Sequence, residues 1–124
     1  MPPLMAGNNG GSVGGAVYFD INFTANTHWN GLDINTNAAV GTPLLMDVYL
    51  RTGTHVGNES SSAGWTAYTA ASGISAGPDV ASRMHFNEPM FLTGPLLLGV
   101  ALVALNFDHR YTNGTGLNQT HSNA

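Results

Sequence analysis

The 124-residue chain contains no cysteine and no lysine. Without cysteine it can form neither a disulfide framework nor a thiolate metal site. Its only fixed cations are Arg51, Arg83 and Arg110, against seven Asp and Glu, and the net charge is -4. A nucleic-acid surface needs a basic patch to neutralise phosphates, and an anionic membrane needs clustered Lys or Arg. Neither partner is expected. Charged residues are 8% of the chain, about a third of their share in a typical soluble domain. The longest apolar run, Leu96 to Leu105, has about half the length needed to span a bilayer, so no membrane span is expected. No amphipathic helical pattern is evident. Met1 to Ala6 has neither the basic nor the apolar region of a signal peptide.

What is present is Asn, Thr, Ser and Gly, a polarity that suits an extracellular protein or one that packs against copies of itself. The apolar residues follow strand periodicity. Ala16 to Thr24 alternates cleanly, with Val17, Phe19, Ile21 and Phe23 inward and Tyr18, Asp20, Asn22 and Thr24 outward. Trp29 to Thr36 reads as a shorter strand with Leu32 and Ile34 inward and Asp33 and Asn35 outward. Leu44 to Arg51 places Leu44, Met46, Val48 and Leu50 on one face. A bulge at Gly53 would extend it to Val56. A further strand is expected over Trp65 to Ala70, and Val80 to Phe86 leads into a strand ending at Glu88-Pro89. Met90 to Leu92 leads through the next turn into the strand at Leu96 to Leu105, which Phe107 to Tyr111 would continue. Leu96 to Leu105, entered from the turn pair Gly94-Pro95, is apolar on both faces. Such a strand is central in its sheet, or its second face meets another subunit.

Many short strands with Gly and Asn turns predict an all-β, single antiparallel β-sandwich, jelly-roll or immunoglobulin-like. The expected organisation is an extended N-terminal arm over residues 1–15 and the β-sandwich domain over residues 16–124. The arm carries Pro2, Pro3, Leu4 and Met5, candidates for docking on a neighbouring subunit. The turn signal Asn113-Gly114-Thr115-Gly116 is followed only by a polar tail. The expectation is a sandwich short of one strand, with an open edge that invites strand addition from another chain.

No pattern carries catalysis. His28, His55, His85, His109 and His121 show no metal-ligand spacing. They read as surface or hydrogen-bonded histidines. Ser60-Ser61-Ser62 lies in a loop without a nucleophile elbow, and the seven carboxylates are scattered. No calcium loop or phosphate loop occurs. No enzyme activity and no cofactor are expected. Asn58, Asn113 and Asn118 stand in accessible glycosylation patterns, as does Asn22 in a strand. Among the aromatics, Trp65 reads as core. Tyr18 and Tyr49, on polar faces, are the candidates for contact with a ligand or another subunit.

The run Asn9-Gly10-Gly11-Ser12-Val13-Gly14-Gly15-Ala16-Val17-Tyr18-Phe19-Asp20 resembles the start of a domain common in bacterial secreted and surface proteins. Many of these carry a sorting signal of the PEP-CTERM type. Val56-Gly57-Asn58-Glu59 with Trp65-Thr66 is similar to its middle. Gly99-Val100-Ala101-Leu102 and His109-Arg110-Tyr111-Thr112-Asn113-Gly114-Thr115-Gly116 resemble its end. The resemblance implies a β-sandwich in an extracellular or cell-surface setting, with no catalytic residues to transfer. A looser likeness is to subunits of environmental bacterial extracellular filaments. The expected function is a structural subunit that self-assembles, itself its partner, through the arm and sandwich contacts. The alternative is a carbohydrate-binding module whose partner is a glycan.

Overall fold

A computed structural model describes residues 9–10 and 13–111. Its strands are β1 (Asn9–Gly10), β2 (Ala16–Phe23), β3 (Thr27–Ile34), β4 (Pro43–Thr52), β5 (Thr66–Ile74), β6 (Ser82–Leu92), β7 (Leu96–Ala104) and β8 (Arg110–Tyr111). No helix occurs among the described residues. Six strands form one antiparallel sheet in the order β2-β7-β4-β5-β6-β3, and β1 pairs with β8 apart from it. The fold is thus all-β and antiparallel, as the alternation predicts. In place of two separately bonded sheets, hydrogen bonds run continuously across one curled sheet, a half-barrel.

The curl follows from connectivity. β2 and β3 occupy opposite edges of the sheet, yet only residues 24–26 join them. So short a link forces the edges toward each other. The β6–β7 turn crosses at the same end, where Gly94 N donates to Asn26 Oδ1 at 3.1 Å. A Cβ on Gly94 would stand 2.6 Å from the Ala25 carbonyl carbon, so only glycine lets the two crossings pack.

Inside the curl lies the core. Leu44, Met46, Val48 and Leu50 of β4 meet Leu98, Val100, Leu102 and Ala104 of β7, with Met84, Phe86 and Met90 from β6. Phe19, Ile21, Trp29 and Leu32 of the two edge strands pack against it half-buried. Trp29 lies between Phe23 and Phe86, at 6.0 and 4.9 Å between ring centroids.

Several boundaries and burials differ from the sequence expectation. β6 runs unbroken through Glu88-Pro89. Its pairing to β5 involves only Met84 to Phe86, so the missing proline N–H interrupts no ladder there. β5 continues to Ile74, four residues beyond the expected end, because its small residues pair with β4 throughout. Asn35, expected outward, is buried just past β3 and exchanges hydrogen bonds with Asp79: Nδ2 to Oδ1 at 3.1 Å, and the Asp79 N–H to Asn35 Oδ1 at 2.9 Å. His109, expected at the surface or hydrogen-bonded, is buried against Phe107 with a hydrogen bond to the Leu102 backbone, while its Nε2 has no hydrogen-bond partner among the described residues. Desolvation holds its imidazole below the ordinary 6.5. Pro2, Pro3, Leu4, Met5, Asn113 and Asn118 lie outside the described residues. The described base of the arm, Asn9 and Gly10, pairs with Tyr111 and Arg110 of its own chain.

Candidate functional site

The strand that is apolar on both faces is flanked by β2 and β4. Its inward residues enter the core. Its outward residues Gly99, Ala101 and Val103 form the middle of an outer sheet face, and Leu97 and Leu105 at its ends are exposed. Register fixes their neighbours. Ala101 stands opposite both Tyr18 and Tyr49, and Gly99 opposite both Asp20 and Arg51. An alanine between two tyrosines leaves a hollow, and the β4–β5 loop closes over it.

That loop is held by its own polar groups. The Gly53 N–H donates to the Leu97 carbonyl at 3.0 Å. Asp20 receives the Thr54 hydroxyl on Oδ2 and the His55 N–H on Oδ1, the latter at 2.7 Å. The Trp65 indole N–H donates to the Asn58 carbonyl at 2.9 Å, which folds the loop back on itself. The Asn58 side-chain amide donates to the Thr54 and Val56 carbonyls. A glycan attached at this candidate nitrogen would break those bonds. Gly99 makes the docking feasible, because a Cβ there would lie 3.0 Å from His55 N and 3.1 Å from Gly53 O.

The result is an open cleft of about 370 Å³ lined by Tyr18, Tyr49, Trp65, Glu59, the Ser60–Ser62 run, Ala101 and Val103. It lies at the small end of the size range of ligand pockets. Trp65, expected in the core, instead meets Tyr18 edge-on at 5.8 Å in the cleft wall. It sits in a loop, outside the alternation that directs side chains inward. Tyr18 also stacks on His55 at 6.4 Å between ring centroids. Arg51 lies 5.9 Å from the Trp65 ring centroid, a cation–π contact, with its Nε and Nη1 buried and not hydrogen-bonded among the described residues. Ala101 is only 4% exposed. The second face of β7 is therefore covered at its centre by this chain's own tyrosines and loop, and needs no second subunit there.

His55 Nδ1 stands 2.8 Å from Glu59 Oε1, and its Nε2 is 4.0 Å from Asp20 Oδ1. Backbone N–H groups, its own foremost, together with His55 hold the Glu59 carboxyl below the usual carboxylate range, so it is ionised at neutral pH. This pair has the form of an oriented base, but Nε2 turns to a carboxylate and no serine hydroxyl bonds to it among the described residues. No cluster of three or more His, Asp or Glu able to hold a metal ion occurs among the described residues. No described helix is long and apolar enough to cross a membrane.

Of the sequence candidates, Tyr18 and Tyr49 come together across Ala101, whereas Asn58 belongs to the loop's internal bonding. Sequence reasoning passed over Trp65, Glu59 and the serine run as members of one site. The available signal was Gly99 and Ala101 in an otherwise bulky strand, since small residues mark close approach of another segment. Compared with known proteins, the chain matches no family model, no curated protein and no solved structure.

Proposed function

We propose that the protein is a non-enzymatic, extracellular carbohydrate-binding module, with the outer-face cleft as its saccharide site. The observation that carries this is the convergence of Tyr18, Tyr49 and Trp65 with three serine hydroxyl-bearing residues around one open hollow. Apolar ring faces cover the C–H faces of a sugar, and hydroxyls and backbone groups at the rim exchange hydrogen bonds with its edge. Arg51 behind Trp65 and His55 behind Tyr18 back two of the rings, which reduces the ordering cost of binding. In this reading the curled sheet serves as two facing layers of a sandwich, and the binding face lies on the outside of one.

The test is binding across a broad panel of neutral, amino and acidic glycans. The expected result is binding that falls roughly fivefold or more in Trp65→Ala and Tyr49→Ala, because truncated aromatic anchors typically cost more than about 1 kcal/mol. Absence of binding across the panel refutes the reading.

Self-assembly into an extracellular filament is the second reading. It is favoured by one observation: β2 and β3 are both sheet edges with no second partner among the described residues. Electron microscopy and light scattering of the full chain decide it. Regular fibres support it, and a monodisperse monomer removes it. The carbohydrate reading stands first because Tyr18, Tyr49 and Trp65 converge on one cleft, whereas at the base of the arm only Asn9 and Gly10 are described and they pair with Tyr111 and Arg110 of the same chain.

A further inference from the structure

The charges around the cleft are unequal in a way that selects among saccharides. Glu59 lines it, with a carboxylate that is ionised at neutral pH. Asp47 is half-buried on the same outer face, directly across from the lining residue Val103. Asp20 stands two residues along β2 from Tyr18, fixed under the loop. Arg51 is not among the lining residues. Its guanidinium packs against Trp65 and beneath Gly64, with Nε and Nη1 buried. The chain offers no lysine to replace it. His55 is committed to Glu59. A ligand entering the cleft thus meets the Glu59 carboxylate, offset in part by His55, and aromatic rings, with no arginine among the lining residues.

Both features act in the same direction. A carboxylate repels an anionic ligand, and the negative face of an aromatic ring attracts an ammonium group. Uronic acid units and sulfated sugars are disfavoured on both counts. A neutral hexose is tolerated. A hexose with a protonated amine gains an attraction while keeping the ring face that stacks. We infer that the cleft is selective for amino-sugar polymers, with Glu59 as the residue that recognises the ammonium group. This inference rests on the saccharide reading of the same cleft.

Four trimers provide the test: β-1,4-linked glucosamine, N-acetylglucosamine and glucose, which differ only at C2, and trigalacturonate. Binding is measured by calorimetry at about pH 6, where sugar amines are protonated. The glucosamine trimer is expected to bind roughly three- to tenfold more tightly than the glucose trimer, the range of a partly exposed cation–π or charge contact. Trigalacturonate is expected to bind weakest. The glucosamine-to-glucose ratio is expected to collapse toward one in Glu59→Gln and to shrink as salt is raised, since exposed charges are screened. A ratio near one in the wild type, a ratio untouched by Glu59→Gln, or tightest binding of trigalacturonate overturns the selectivity while leaving a saccharide site in place. Failure of all four trimers, with no binding on the wider panel, removes the site and the selectivity together.

Discussion

Gly99→Ala tests whether the cleft exists because a loop is seated on a bare point of strand β7. An alanine Cβ at this position would meet Arg51 Cγ at 2.8 Å, His55 N at 3.0 Å and Gly53 O at 3.1 Å. Ordinary carbon contacts lie near 3.5–4.0 Å, so each neighbour must retreat by several tenths of an ångström. The Arg51 side chain can swing, at the cost of its position over Trp65. The two backbone atoms are less free. Gly53 is bonded to Leu97, and His55 to Asp20. Moving them stretches the bonds that hold the loop. Overpacking of this kind costs about 1–3 kcal/mol. In a domain of this size each kcal/mol lowers the melting temperature by about 3–5 °C, so a fall of roughly 3–15 °C is expected by calorimetry. The loop carries Trp65, so its displacement has a second readout. In a Trp29→Phe background, Trp65 is the remaining tryptophan. Its emission is expected to shift to longer wavelength as the ring loses Tyr18 and Arg51. Melting within a degree of the parent, with unchanged emission, would refute the seating of the loop on Gly99.

Substitutions at two other positions probe the segment after β7. His109 is held below its ordinary value of 6.5, chiefly by burial, with a Leu102 backbone hydrogen bond and the Asp108 carboxylate as partial offsets. As pH falls through 6.5 the unfolded chain takes up the proton first. This group therefore lowers stability from about that pH down to its folded-state value, and not above it. Urea denaturation as a function of pH is expected to show this slope, and His109→Gln to flatten it. Asp108 accepts the Thr36 hydroxyl and the Asn37 backbone N–H on Oδ1 and the Asn37 amide on Oδ2, fastening residues 36–37 to the segment after β7. Asp108→Ala is expected to cost about 1–3 kcal/mol in urea denaturation, with Thr36 buried beneath it, and Asp108→Asn distinctly less. Equal effects of the two would show that the hydrogen bonds are not what Asp108 contributes.

The local alternation of β2 and β4 was legible, because a period of two depends only on neighbouring residues. Of the inward sets, Leu44, Met46, Val48, Leu50 and Phe23 enter the core, Phe19 and Ile21 pack against it half-buried, and Val17, near the start of its strand, does not reach it. The doubly apolar β7 was legible as a strand needing cover on both faces. What covers it was not. Asp20 holds Thr54 and His55 from 34 and 35 residues away, and no periodicity reports a contact of that span. The sequence could place Tyr18 and Tyr49 on outward faces. It could not bring them together, because that depends on β2 and β4 both pairing with β7 in one register.

Trp65 shows the same limit from the other side. A large aromatic is most often core, and that expectation fails here because the residue belongs to a loop whose path is fixed by bonds to Asp20 and Leu97. By itself the sequence determined composition, the strand periods and hence an antiparallel all-β fold, along with the scarcity of cations that shapes any binding surface. Only the tertiary structure decided that β2 and β3 lie at opposite edges of one curled sheet, and that three aromatic rings share a cleft with a carboxylate. Strand identity is written in near-neighbour alternation, whereas strand order and loop docking come from contacts between residues far apart in the chain.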